Sequence, residues 1–390
     1  MSCEFHINNS EVMDELPMEV VERKGVGHPD TICDLLTDRI SFDLQQYYLE
    51  KCGKVLHYNV DKALLIGGTS APKFLGGKCL EPVKFYLGDR AVSSFDGQKL
   101  NLDEVIEVSL DSWLKENLRY LRLEKNFLFK NEIRPGSSAL NLVEDRNVAN
   151  DTSVGVGYWP SSALEELTLY IDELFCSPPY KGDHPVLGED IKIMSIRQAQ
   201  SIEVILACAF VDSYISDVND YFHKKELILN KIKADLLNKY GEKFEFKLSL
   251  NALDDKALGK DGIYMTVTGL SCEGGDSGQV GRGNRVSGLI SFMRPQTMEA
   301  WAGKNFKTHI GKIYSFAATS LARLLVLNIE EILEANVTLV GKIGSPVYEP
   351  SYVYADCKVK PGFERSIKEK SLSFLKKSIS EKAVFKILPR

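Results

Sequence analysis

The chain has 390 residues, 44% hydrophobic and 26% charged, with a formal charge of −6. That is room for two or three globular domains, and the mild negative charge argues against a dedicated binder of nucleic acid or of a membrane surface. No apolar run approaches the roughly 20 residues that span a bilayer.

The start, Met1-Ser2-Cys3-Glu4-Phe5-His6, has neither the basic nor the apolar segment of a secretory signal. Eight cysteines lie scattered with no C-x-x-C pair, which argues against a zinc cluster and for reduced thiols in the cytoplasm. A first long helix is expected after Asp30, where Ile32, Leu36, Ile40, Leu44 and Tyr47 form one apolar stripe ending near Gly53. Asp30 stands where an N-cap belongs, and the same carboxylate beside a polyphosphate could hold Mg²⁺. His28, in Lys24-Gly25-Val26-Gly27-His28-Pro29-Asp30, is either a turn residue or a donor to a developing anion. Residues 55–60 and 63–66 read as strands leading into Gly67-Gly68. Asp151 lies in a glycine-bearing loop, 150–158, as a turn residue or as a partner for an amine or hydroxyl.

The capping box Ser162-x-x-Glu165 announces a second helix with Leu164, Leu167, Ile171 and Leu174 on one face, closed by Pro178-Pro179. Residues 190–197 alternate as a strand. Lys192 shares a face there with Met194 and Ile196, either snorkelling at an edge or projecting into a cleft. Residues 201–211 form a further apolar segment, and a strand over 263–269 leads into Gly274-Gly275-Asp276-Ser277-Gly278-Gln279-Val280-Gly281-Arg282-Gly283-Asn284-Arg285. Five glycines in this run permit positive φ and close approach to a ligand, and successive N–H groups can form an anion nest. Arg282 adds a fork suited to phosphate oxygens. Asp276 would repel an anion, and suits an ammonium, a hydroxyl or a metal. Lys304, Lys307, His309 and Lys312 then cluster as a phosphate contact or a solvated face before a helical pattern over 308–335. A last loop-and-strand region begins at 341–344. The lysine-rich stretch 368–382 reads as a solvated helix face. Strands in adjacent pairs point to mixed or antiparallel sheets backed by helices, and no G-x-G-x-x-G opens a dinucleotide fold.

Five strings in order, VERKGVGHPDTICD (21–34), NVDKALLIGG (59–68), NDTSVGVGYWP (150–160), GGDSGQVGRGNRVSGLI (274–290) and AGKN…HIGKIY (302–314), resemble the archaeal-type branch of the S-adenosylmethionine synthetase family. The resemblance implies that ATP and L-methionine give S-adenosylmethionine, with sulfur attacking ribose C5′ and triphosphate leaving, to be cut to pyrophosphate and phosphate. It implies phosphate-binding roles for Arg282 and Lys304, charge stabilisation at the breaking bond by His28, a Mg²⁺ ligand in Asp30 and an active-site lysine in Lys192. Asp151 and Asp276 would hold the methionine ammonium or the adenosine hydroxyls. Asp190, Ser277, Gly278, His309 and Lys312 join the substrate-binding set. The better-known branch has a second metal-binding aspartate after the residue matching Lys304; here 305–312 holds no carboxylate, so that ligand is unassigned. Its K⁺-binding glutamate has no clear partner near 57–61, which leaves a K⁺ requirement open. The implied fold is α+β, three similar subdomains of mixed or antiparallel sheet backed by helices about a pseudo-threefold axis. Linear regions 1–125, 126–245 and 246–390 index those subdomains only approximately, since they interleave in sequence. The implied assembly is a sheet-to-sheet homodimer, or a higher oligomer of it, with active sites between subunits.

Overall fold

Over residues 191–198 and 201–208, strands Leu187–Gln198 and Ser201–Val211 alternate buried and more exposed side chains, because one face of the sheet there meets a core, whereas 187–190 and 209–211 are buried throughout. They pair antiparallel, and the sheet runs Glu245–Leu250, Ser201–Val211, Leu187–Gln198, Met18–Lys24, Ile290–Ser291. In this computed structural model, which describes residues 1–136 and 146–385, helices Ala163–Cys176 and Val218–Tyr240 supply the other half of that core. A second sheet runs Phe127–Asn131, Val83–Leu87, Ala63–Ile66, Gly278–Gln279, and shares a core with helices Pro29–Cys52 and Leu102–Asn117. A third runs Ser2–Asn8, Tyr352–Val359, Ile332–Gly341, Ser153–Trp159, against helices Ile310–Asn328 and Glu364–Ser380. The result is α+β with mixed sheets and helices. Each core collects distant segments: Phe5 and Ala149 lie in the core of residues 310–385.

Several elements differ from the sequence reading. Residues 150–158 are largely the strand Ser153–Trp159, and its glycines serve contact with a helix. A Cβ on Gly155 would lie 2.1 Å from the Tyr314 carbonyl carbon, and one on Gly157 2.1 Å from the Thr319 nitrogen. The helix begun at Ser162 does end before Pro178, at Cys176, but Pro178 also opens a further short helix, Pro178–Asp183, because Ser177 caps it and proline suits a first helical turn. The helix expected over 308–335 ends at Asn328, and Ile332–Gly341 is a strand; no glycine or proline marks the change. The strand expected over 263–269 is only Met265–Thr266, and that over 55–60 only Tyr58–Asn59. Helix Ile310–Asn328 is long and apolar enough to cross a membrane, contrary to the sequence reading, but 61% of it is buried inside the protein.

Candidate active site

The Met18–Lys24 strand reaches the Pro29–Cys52 helix through a turn pinned to strand Leu187–Gln198, with Gly25 N donating to Ile191 O at 2.7 Å and Gly27 N to Glu189 O at 2.9 Å. A Cβ on Gly27 would lie 2.4 Å from the Glu189 carbonyl carbon. The helix is capped by His28 and not, as its sequence reads, by Asp30: Nδ1 of His28 accepts from Asp30 N at 3.2 Å. Pro29 takes the first helical position, where no N–H is needed, so the cap falls two residues before the aspartate. With Nδ1 accepting, the neutral ring carries its proton on Nε2. Burial lowers the His28 pKa to about 4 against the pull of Asp30, so the ring is neutral at ordinary pH.

Asp30 is left to bind. Its Oδ1 accepts from Gln279 N at 3.0 Å and its Oδ2 from the Lys24 ammonium at 2.9 Å. Lys24 lies opposite Lys192 in the sheet register. Glu22 serves both, with Lys192 Nζ at 3.3 Å and Lys24 Nζ at 3.9 Å. The ladder Lys192–Glu22–Lys24–Asp30 is buried at Lys24 and Asp30, while the Lys192 side chain stays 45% exposed.

The glycine run threads between two sheets, Gly278 pairing with Leu65 and Ile290 with Glu22. Gly278 is required by contact: a Cβ there would lie 2.2 Å from the Pro29 carbonyl group. Asp34, under the run, accepts from Gly281 N at 2.8 Å, and burial pushes its carboxyl up to about 7. Arg285 donates to the Gly281 and Gly283 carbonyls and so fixes the loop from inside. Arg282 does the opposite. It is exposed, and its guanidinium makes no hydrogen bond or ion pair with the described residues. The exposed Asp276 accepts from Ser271 Oγ at 2.9 Å and from Ser277 N at 3.0 Å, and Ser277 Oγ accepts from Gly67 N. Asp190 lies beneath, accepting from Ser271 N at 2.9 Å, with its carboxyl pushed up to about 6 by burial.

Arg282, Gln279 and Lys304 line one open cleft of about 1140 Å³, together with Asp61, Lys62, Ser153 and Glu299. A smaller polar recess shares Asp61, Lys62, Glu299 and Lys304, and adds Asp151, His57, Asp89, Arg90 and His309. Lys304 is placed by its neighbours, since Val60 N donates to Gly303 O and Asn59 pairs with Lys304. Its ammonium is buried between Glu299 and Asp61, the latter at 3.4 Å. For Lys304, burial outweighs the attraction of Asp61 and lowers the pKa. Asp61 is also penalised by burial, but Lys304 and Lys62 outweigh that and hold its carboxyl below the usual range. His309 is buried, its pKa lowered to about 3 first by burial and then by Lys304. Lys312 is absent from both walls: it is fully buried, paired with Asp38 and stacked on Phe306.

The glycine run thus joins two groups of predicted residues. His28, Asp30, Lys192, Asp276 and Asp190 lie toward the sheet of Leu187–Gln198 and the start of helix Pro29–Cys52; Arg282, Lys304, Asp151 and His309 lie on the cleft and its recess. Sequence reading passed over Glu22, Lys24, Asp61 and Glu299. The first two alternate on a strand facing Lys192, which a period-two reading of 18–24 would have found. Asp61 stood inside a matched string, whereas Glu299 carried no local signal. Among the described residues no three His, Cys, Asp or Glu side chains gather as a metal cage. Asp30 fits a Mg²⁺ that arrives with a polyphosphate, since Mg²⁺ needs only one or two carboxylates beside phosphate oxygens. The Lys24 ammonium takes one lone pair of Oδ2 and Gln279 N one of Oδ1, which leaves a lone pair on each oxygen for the metal.

The family model for S-adenosylmethionine synthetase (AdoMet synthetase) matches residues 4–385. A probable S-adenosylmethionine synthase of Aquifex aeolicus is 42% identical over 91% of this chain and 88% of its own length. An S-adenosylmethionine synthase of Methanobrevibacter smithii is 40% identical over 88% and 86%. A solved structure, described as an unusual S-adenosylmethionine synthetase from Campylobacter jejuni, superposes with a TM-score of 0.63 over 92% of this chain and 86% of that one. At 16% identity it speaks for the fold.

Proposed function

The chain belongs to the S-adenosylmethionine synthetase family, and on that premise we propose how its cleft carries out methionine adenosyl transfer. ATP and L-methionine bind across the glycine run. The methionine sulfur, a neutral nucleophile that needs no general base, attacks ribose C5′ in line, and the whole triphosphate leaves. Positioning and leaving-group stabilisation therefore carry the rate. The triphosphate is afterwards cut to pyrophosphate and phosphate.

The observation that carries this reading is the guanidinium of Arg282, without a partner among the described residues, on the same cleft wall as the buried ammonium of Lys304. Two cations built into one wall suit a polyanion. His28 donates from Nε2–H to the oxygen that departs, as a neutral donor. Lys192 reaches the same charge from its half-exposed position beside Glu22. Asp151 and Asp276 take the methionine ammonium or the ribose hydroxyls, Ser277 and Gly278 offer backbone contacts, and His309 faces the recess. Asp190 acts on the substrate through Ser271, and Lys312 through the packing of Phe306. Asp30 would hold Mg²⁺, which when bound neutralises charge on the triphosphate. The cleft is open and carries Leu64, Val154 and the 97%-exposed Met298, which supports closure by a second copy and a homodimer with shared sites. Free thiols at all eight cysteines suit the cytoplasm.

Arg282→Ala tests the reading. Tripolyphosphate affinity should fall at least about tenfold while methionine affinity holds. Equal loss for both ligands would make Arg282 a structural residue.

A further inference from the structure

Glu299 is a carboxylate set where the phosphates of ATP must go if the cleft binds as proposed, and its role rests on that reading. Its Oε1 pairs with the Lys304 ammonium and its Oε2 accepts from Ser153 Oγ. Beneath it begins the Ile310–Asn328 helix, which has no acidic residue in its first turn and no side-chain bond from its cap, His309. A Cβ on Gly311 would lie 2.6 Å from the Glu299 carboxyl carbon, so the glycine lets the carboxylate settle on the helix start. Helix starts favour anions through their free N–H groups and dipole. His309, 4% exposed and lining the recess, has an Nδ1 with no hydrogen-bond partner among the described residues. A lysine, a hydroxyl and a helix start therefore meet at one carboxylate, and the recess it lines also holds the His309 imidazole.

We propose that Glu299 is a built-in counterion. In the empty protein it holds the anion position between Lys304, Ser153 and the helix start, and a phosphate group of the triphosphate takes that position by displacing it. Glu299 sits in the irregular stretch 295–300, so its side chain can swing out without unfolding an element. Its return to Lys304 then helps pyrophosphate and phosphate leave. Glu299 is a positioning residue, acting through Lys304.

The test titrates the whole protein with inorganic tripolyphosphate in Mg²⁺ buffer, beside steady-state synthesis. Glu299→Gln keeps the side-chain volume against Gly311 and an oxygen for Ser153. It should bind tripolyphosphate about tenfold more tightly, with kcat and KM for ATP falling together because release slows. Glu299→Asp keeps the charge and should stay within about twofold of the parent. Glu299→Ala should shift affinity in the same direction as glutamine, which guards against a folding fault peculiar to one variant. Unchanged affinity overturns the proposal. So does weaker binding with a raised Mg²⁺ requirement, which would make Glu299 a metal ligand. If the parent binds tripolyphosphate but makes no S-adenosylmethionine, the reaction assigned to the cleft fails while the affinities still decide the role of Glu299.

Discussion

At His28, burial overcomes the attraction of Asp30 and holds the ring near a pKa of about 4. An unfolded histidine titrates at about 6.5. The unfolded chain therefore takes up the proton first on acidification, and the contribution of the neutral ring, full above about pH 6.5, is lost as pH falls toward about 4. His28→Asn keeps an N-cap but does not titrate. The stability of the parent relative to this variant, from urea melts, should decline between about pH 7 and about pH 4.5; a constant difference would mean the ring is solvated in the folded state. Gly278 is as constrained by contact as His28 is by charge. Its neighbour at 2.2 Å is backbone, so Gly278→Ala must shift the glycine run or the helix start. A loss of about 2 kcal/mol or more is expected, with activity falling further because Arg282 rides on the same loop. Lys192→Ala removes no buried charge. It should leave the melting temperature within a few degrees while synthesis drops by orders of magnitude, and near-normal turnover would take Lys192 out of the site.

At the scale of the element, caps and contact glycines decide where segments begin. The capping box predicted at Ser162 and Glu165 is present, with Ser162 Oγ accepting from Glu165 N at 3.1 Å and also donating to the buried Glu19. Ser162→Ala should cost about 1–2 kcal/mol in chemical denaturation, the upper end reflecting the donor lost to Glu19 Oε1, while Arg197 still holds Oε2. That helix was legible because its start chemistry and its apolar stripe agreed. The Val218–Tyr240 helix was passed over: few of its side chains are buried, so its stripe is narrow. At 308–335 a strongly apolar helix runs into a β-branched strand with no glycine or proline between, and a periodic pattern alone cannot end it. Asp30 misled for a related reason. Aspartate is a good cap in general, but a proline beside it moves the cap to the residue before.

Across the whole molecule, buried charges tie two of the three cores together. Arg294, 2% exposed in its side chain, sits between Glu165 at 2.9 Å and Glu334 at 3.2 Å, and Lys358 meets Glu334 at 3.0 Å. This network ties a helix of one core to two strands of another. Arg294→Ala would leave two buried carboxylates short of their partner and should cost about 3–5 kcal/mol in a urea melt. Such long-range pairs leave no trace in a single sequence. The same holds for the cleft: the matched strings named Arg282, Lys304, His28 and Asp30, but Glu299 and Asp61 became visible only when distant segments were brought together, Asp61 and Lys304 meeting at 3.4 Å. In the proposed reaction this cleft expels a whole triphosphate. Incubating the protein with ATP, L-methionine and Mg²⁺ and quantifying every phosphorus-containing product tests it directly. S-adenosylmethionine, pyrophosphate and phosphate should appear in equal amounts, with no ADP or AMP. ADP or AMP as the stoichiometric product would contradict it.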